Sequence, residues 1–121
     1  MPKILLVEDN EMNRDILGRR LGQLGHSVIM AFDGEQGYAL AHTELPDLIL
    51  MDIAMPKMNG LRATRLLKSD KRTRHIPIVV ITAYPSNREE ALAAGCDAYA
   101  TKPIAFGRLN EMIENLLAKR V

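Results

Sequence analysis

The sequence predicts an α/β fold: a doubly wound, five-stranded parallel sheet with helices on both faces. Short apolar runs alternate with longer helical patterns along the whole chain, the order of successive βαβ units. The runs are continuously apolar rather than alternating, as expected of strands covered on both faces. Polar residues with chemical potential follow several of these runs: Glu8-Asp9, Asp52, Thr82 and Lys102. In an open parallel sheet the strand C-termini share one edge, and ligands bind in the crevice there.

The strand runs are 4–7 (Ile4-Leu5-Leu6-Val7), 27–31, 48–51 (Leu48-Ile49-Leu50-Met51), 78–81 (Ile78-Val79-Val80-Ile81) and 97–100. Met12, Ile16, Leu17, Leu21 and Leu24 form a helical stripe that Gly25 stops. A second helix is predicted over 34–44, weakened by Gly37 in its interior, which costs about 1 kcal/mol relative to Ala. A third, over 60–70, follows Asn59-Gly60 and carries Leu61, Leu66 and Leu67. The fourth, over 86–94, opens with Ser86 and Glu89, a capping-box pair. It is Ala-rich and should be the least firmly anchored. Phe106, Leu109, Ile113, Leu116 and Leu117 mark the fifth. Right-handed crossovers place these helices on both faces. The reversal of winding beside the first strand puts a crevice near Glu8 and Asp9.

The chain has 121 residues, 47% hydrophobic and 26% charged, which fits one domain over 1–121 with its own core. A net charge of +1 creates no field for nucleic acid or an acidic membrane, and without Trp there is little to stack on bases. No apolar run nears the ~20 residues of a membrane span, and the N-terminus lacks signal-peptide character. The one cysteine, Cys96, reads as a packed thiol in a reducing compartment. A cytoplasmic protein with no membrane insertion and no nucleic-acid partner is expected.

Glu8-Asp9 sits where a dinucleotide fold carries its glycine-rich phosphate turn. No G-x-G-x-x-G is present, and paired carboxylates repel a pyrophosphate. As a plain structural feature, Asp9 or Asn10 caps the first helix. As a chemical one, the pair suits Mg²⁺ (or Mn²⁺), which takes one or two carboxylates plus waters and phosphate oxygens. Asp52 alone reads as a turn or cap residue. With strand order 2-1-3-4-5 it stands beside Asp9, and close carboxylates raise one another's pKa unless a cation compensates. Compensation frees an Asp oxygen to attack phosphorus. Alone, Thr82 is an ordinary strand-end residue and Lys102 a surface amine. Together they supply the hydroxyl and the charge that a phosphoryl group on Asp52 needs. Lys102-Pro103 is a candidate cis peptide.

The set Glu8-Asp9, Asp52, Thr82-Ala83, Tyr99 and Lys102-Pro103 resembles the receiver domain of bacterial two-component response regulators. Met51-Asp52-Ile53-Ala54-Met55-Pro56-Lys57-Met58-Asn59-Gly60 is similar to that family's phosphorylation loop, including Pro56 and Gly60. The resemblance covers the whole chain and implies a flavodoxin-like fold with strand order 2-1-3-4-5. It implies that Asp52 is phosphorylated, and that Asp9 holds Mg²⁺ directly and Glu8 through water. The backbone carbonyl of Ala54 is implied as a third protein ligand. Lys102 is implied to contact the phosphoryl group, with Thr82 and Tyr99 as switch residues. Tyr99 alone reads as half-buried packing.

The implied partners are a histidine kinase or histidine phosphotransfer protein, facing Asn10, Met12, Asn13 and Ile104, and a downstream target. The target would dock on the face of the fourth helix, fifth strand and fifth helix. Met12 also has a plain reading as core packing. A stand-alone receiver without an output domain is expected, catalysing only its own phosphorylation and dephosphorylation. Two features depart from the family pattern. The Thr82–Ser86 loop is short, which bears on switching, and Ala54 is apolar, which bears on the lifetime of the phosphorylated state. An aspartyl phosphatase would carry a second Asp two residues after the nucleophile, where Ala54 stands. A flavodoxin-like cofactor binder would carry a glycine- and hydroxyl-rich loop where Glu8-Asp9-Asn10-Glu11 stands.

Overall fold

The computed structural model describes residues 1–55 and 57–119. Pro56, part of the phosphorylation-loop resemblance, lies outside them. The elements are β1 (Lys3–Val7), α1 (Glu11–Gln23), β2 (Ser27–Ala31), α2 (Gly34–Glu44), β3 (Leu48–Asp52), α3 (Gly60–Ser69), β4 (Ile78–Thr82), α4 (Arg88–Ala93), β5 (Ala98–Thr101) and α5 (Phe106–Ala118). A 3-10 turn, Pro85–Asn87, leads into α4. The sheet has five strands in the order β2-β1-β3-β4-β5, and each neighbouring pair is parallel. The flavodoxin-like arrangement expected from the sequence is therefore the one found.

Strand side chains alternate between two buried layers. Leu5, Val7, Ile49, Met51, Ile78 and Val80 join one cluster with Ala41, Leu61, Leu67 and Ala91 of α2, α3 and α4. Ile4, Leu6, Leu48, Leu50, Val79 and Ile81 join the other with Leu17, Leu21, Leu109 and Ile113 of α1 and α5. This double burial explains the continuous apolar runs; each buried Leu or Ile contributes roughly 1.5–3 kcal/mol relative to exposure. Gly37 is explained in the same way. A Cβ there would lie 2.8 Å from the Val7 methyl carbons, so α2 sits too close to β1 for any side chain.

Two expectations are corrected. Met12 is not core: it is 70% exposed, and Ile16 and Leu24 are also exposed. The buried stripe of α1 is Leu17, Gly18 and Leu21. The first turn of α1 stands at the C-terminal edge of the sheet, where no strand lies beneath Met12. The Ser86/Glu89 capping box does not form, and the single helix expected over 86–94 is replaced by the 3-10 turn and the six-residue α4. Pro85 opens that turn, neither element has a side-chain cap, and the Asn87 side chain is bonded to Thr82. Within α4 only Ala91 is buried, in keeping with the weak anchoring expected from its sequence.

Candidate functional site

The strand C-termini deliver the predicted residues to one edge. β1 leads into Glu8 and Asp9, and β3 ends on Asp52 one step beyond the Val7↔Met51 pairing. Asp52 pairs with Ile81 of β4, and Thr82 with Thr101 of β5, one residue before Lys102. Carboxylate oxygens of Glu8, Asp9 and Asp52 lie within 4.8 Å of one another. Glu8 and Asp52 are buried and Asp9 is exposed. The Lys102 ammonium stands 3.2 Å from Glu8 Oε1 and 3.4 Å from Asp52 Oδ2. The Lys102-Pro103 peptide is cis.

Local backbone bonds fix these positions. The Asn10 amide donates to Glu8 Oε2 at 3.1 Å. Asn10 Oδ1 accepts the Asn13 N–H at 2.9 Å and caps α1, so Asn10 and not Asp9 does the capping. Arg14 Nη1 donates to the Glu8 carbonyl at 2.9 Å, and its guanidinium lies 4.3 Å from the centre of the Phe32 ring. Arg14 thereby braces the β1–α1 loop. Sequence reading missed it, because a lone cation on a helix face carries no signal. Asn59 caps α3 through the Arg62 N–H. The following Gly60 packs so tightly that a Cβ there would collide with the Asp52 carbonyl oxygen. Ala54 lies exposed in the bend after β3.

The cluster is electrostatically unbalanced. Burial, then repulsion from Glu8, pushes the Asp52 carboxyl up to about 7, against the opposing pull of Lys102. At Lys102 burial works against the charge, but Asp52 and Glu8 outweigh it and hold the amine above its ordinary value. One ammonium does not neutralise three carboxylates. The donor set is all hard carboxylate oxygen, which suits Mg²⁺, Ca²⁺ or Mn²⁺ rather than a soft metal.

Thr82 is buried, and its hydroxyl is hydrogen-bonded within the loop that follows β4. It accepts the Tyr84 N–H at 3.1 Å and donates to Asn87 Oδ1 at 3.0 Å. Tyr99 is half-buried against the Leu5–Val7 layer, and its hydroxyl is buried without a hydrogen-bond partner among the described residues. Cys96 is a buried free thiol that burial pushes up, consistent with packing. A cleft of about 310 Å³ opens beside the site between Glu8, Asn13, Ile16, Lys102, Ile104 and Phe106. Asn10 and Met12 line the adjoining groove on α1. No helix among the described residues is long and apolar enough to cross a membrane.

Comparison with known proteins agrees with this fold. The sequence pattern of the response regulator receiver domain matches residues 4–114. The polar-differentiation response regulator DivK of Brucella anthropi is 39% identical over 120 residues, covering 97% of this chain and 98% of the relative. DivK of Brucella ovis is 38% identical over 116 residues, covering 94% of each. Among solved structures, the receiver domain of the sensor histidine kinase PA1611 of Pseudomonas aeruginosa PAO1 superposes with a TM-score of 0.91, at 33% identity and 98% coverage of each chain. That structure holds a magnesium ion in its active site cleft. A chemotaxis response regulator of Vibrio cholerae superposes with a TM-score of 0.89, at 26% identity, covering 96% of this chain and 98% of its own.

Proposed function

This chain belongs to the response regulator receiver family of two-component signalling, and from that premise we propose that Asp52 is its phosphoryl acceptor. The observation that carries the proposal is the Lys102 ammonium bridging Glu8 and Asp52 within the carboxylate cluster. In the reaction, an Asp52 carboxylate oxygen forms an O–P bond as the P–N bond to a donor phosphohistidine breaks. The imidazole leaves with the electron pair. Asp52 must be ionised to attack, and Lys102 favours that state. Lys102 then faces the charge gathered on the phosphoryl oxygens, and Thr82 supplies a hydroxyl donor once its present bonds are released.

The side chains of Glu8, Asp9 and Asp52 and the Ala54 carbonyl are the groups that would hold Mg²⁺ or Mn²⁺. Two observations support the fit: the close approach of the three carboxylates and the displaced Asp52 pKa. When bound, the cation supplies positive charge against the carboxylates and the transferring phosphoryl group.

The donor is a histidine kinase or histidine phosphotransfer protein. Its docking surface is the exposed apolar start of α1, Met12 and Ile16, together with Asn10, Asn13 and Ile104 at the cleft. The target-facing surface is α4–β5–α5, which Thr82 and Tyr99 underlie. Beyond its own phosphorylation and dephosphorylation the domain performs no catalysis, and it works in the cytoplasm. Labelling from phosphoramidate with Mg²⁺ tests the acceptor. Wild type should take up close to one phosphoryl group and Asp52→Asn almost none; equal labelling would remove Asp52 from the role.

A further inference from the structure

We propose that Asn87 is a positioning residue that holds the Thr82 hydroxyl in the unphosphorylated state and competes with the phosphoryl group for it. This inference rests on the reading of Asp52 as acceptor. A threonine hydroxyl has one proton to give. Here its oxygen accepts the Tyr84 N–H, and of the two acceptors in reach of its proton, Asn87 Oδ1 at 3.0 Å is nearer than the Tyr84 carbonyl at 3.4 Å. The Asn87 Nδ2 at the other end of the amide faces Glu90 Oε1 at 3.5 Å, in keeping with Oδ1 turned toward Thr82. Thr82 is only 2% exposed, so water does not readily replace a partner it loses. To donate to an oxygen on Asp52, the hydroxyl must first leave Asn87.

The short loop makes this contact. Asn87 lies five residues past Thr82, and the 3-10 turn folds it back, with the Asn87 N–H bonded to the Tyr84 carbonyl at 3.0 Å. The bond therefore ties the end of β4 to the start of α4. Because α4 buries only Ala91, little else restrains its first residues when the tie breaks. Asn87 thus sets how much of the protein occupies the resting state before any phosphoryl group arrives. A bond that exists only in that state lowers the apparent affinity for the group that needs the other state.

Beryllofluoride with Mg²⁺, titrated by calorimetry or ¹⁹F NMR, is the probe. Asn87→Ala should bind it roughly three- to tenfold more tightly than wild type, the worth of one hydrogen bond. In a Thr82→Ala background the same substitution should change nothing, since the proton it competes for is gone. Asn87→Asp, which keeps an acceptor oxygen, should bind no more tightly than wild type. Circular dichroism establishes that each variant is folded. Unchanged or weaker binding by Asn87→Ala, or an equal gain in the Thr82→Ala background, would overturn the role of Asn87 alone. Failure of wild type to bind beryllofluoride would overturn the acceptor reading and this inference with it.

Discussion

Asp52 and Lys102 show how single residues take their meaning from neighbours distant in the chain. Lys102 reaches Glu8 across 94 positions, and Asp52 is held near 7 by burial and by Glu8. The folded protein therefore binds a proton on Asp52 more tightly than the unfolded chain does, with its ordinary value of 3.8. That contribution to stability is fully present below pH 3.8 and is lost as pH rises through about 7. Asp52→Asn should remove this slope and stabilise the metal-free protein at pH 8 by roughly 1–3 kcal/mol, measured by urea unfolding. Mg²⁺ must displace the same proton, so its affinity should rise with pH across that window and level off above it, as calorimetry at several pH values would record. Glu8, Asp9, Asp52, Thr82 and Lys102 were legible in the sequence because they follow apolar runs, and strand ends share an edge. Arg14 and Asn87 were not. Their roles depend on where a loop folds back, and no periodicity encodes that.

At the scale of elements, the strands were legible as continuous apolar runs, and four of the five helices from apolar stripes or from the spacing between strands. Gly37 looked like a weakness in α2 and is instead what lets α2 approach Val7. Gly37→Ala should cost about 1–3 kcal/mol by overpacking, despite the better helix propensity of Ala, in thermal or urea unfolding. The start of α1 misled in the opposite direction. Met12 fits the apolar period, yet its turn has no sheet to pack on, so an apolar side chain is left exposed. The fourth helix was mispredicted because Pro85 and the Asn87–Thr82 bond outweigh the Ser86/Glu89 pattern. With only Ala91 buried in α4, against Leu109 and Ile113 in α5, α4 amides should exchange with deuterium well before those of α5. Equal protection would contradict the view of α4 as the loosely held element.

For the whole molecule, two buried layers fix the sheet rigidly, while the reactive groups sit at its C-terminal edge, where β1 meets β3 and β3 meets β4. The order β2-β1-β3-β4-β5 brings Asp9 beside Asp52 and places α4 and β5 next to Thr82. The carboxylate cluster and the sparsely buried α4 thus share one rim of the core. The most direct measurement is the site of phosphoryl transfer itself. Wild-type protein incubated with phosphoramidate and Mg²⁺, then trapped by borohydride reduction and mapped by peptide mass spectrometry, should carry the modification at Asp52 alone, and omission of Mg²⁺ should abolish it. Modification at Glu8 or Asp9, or undiminished labelling without the cation, would contradict the account.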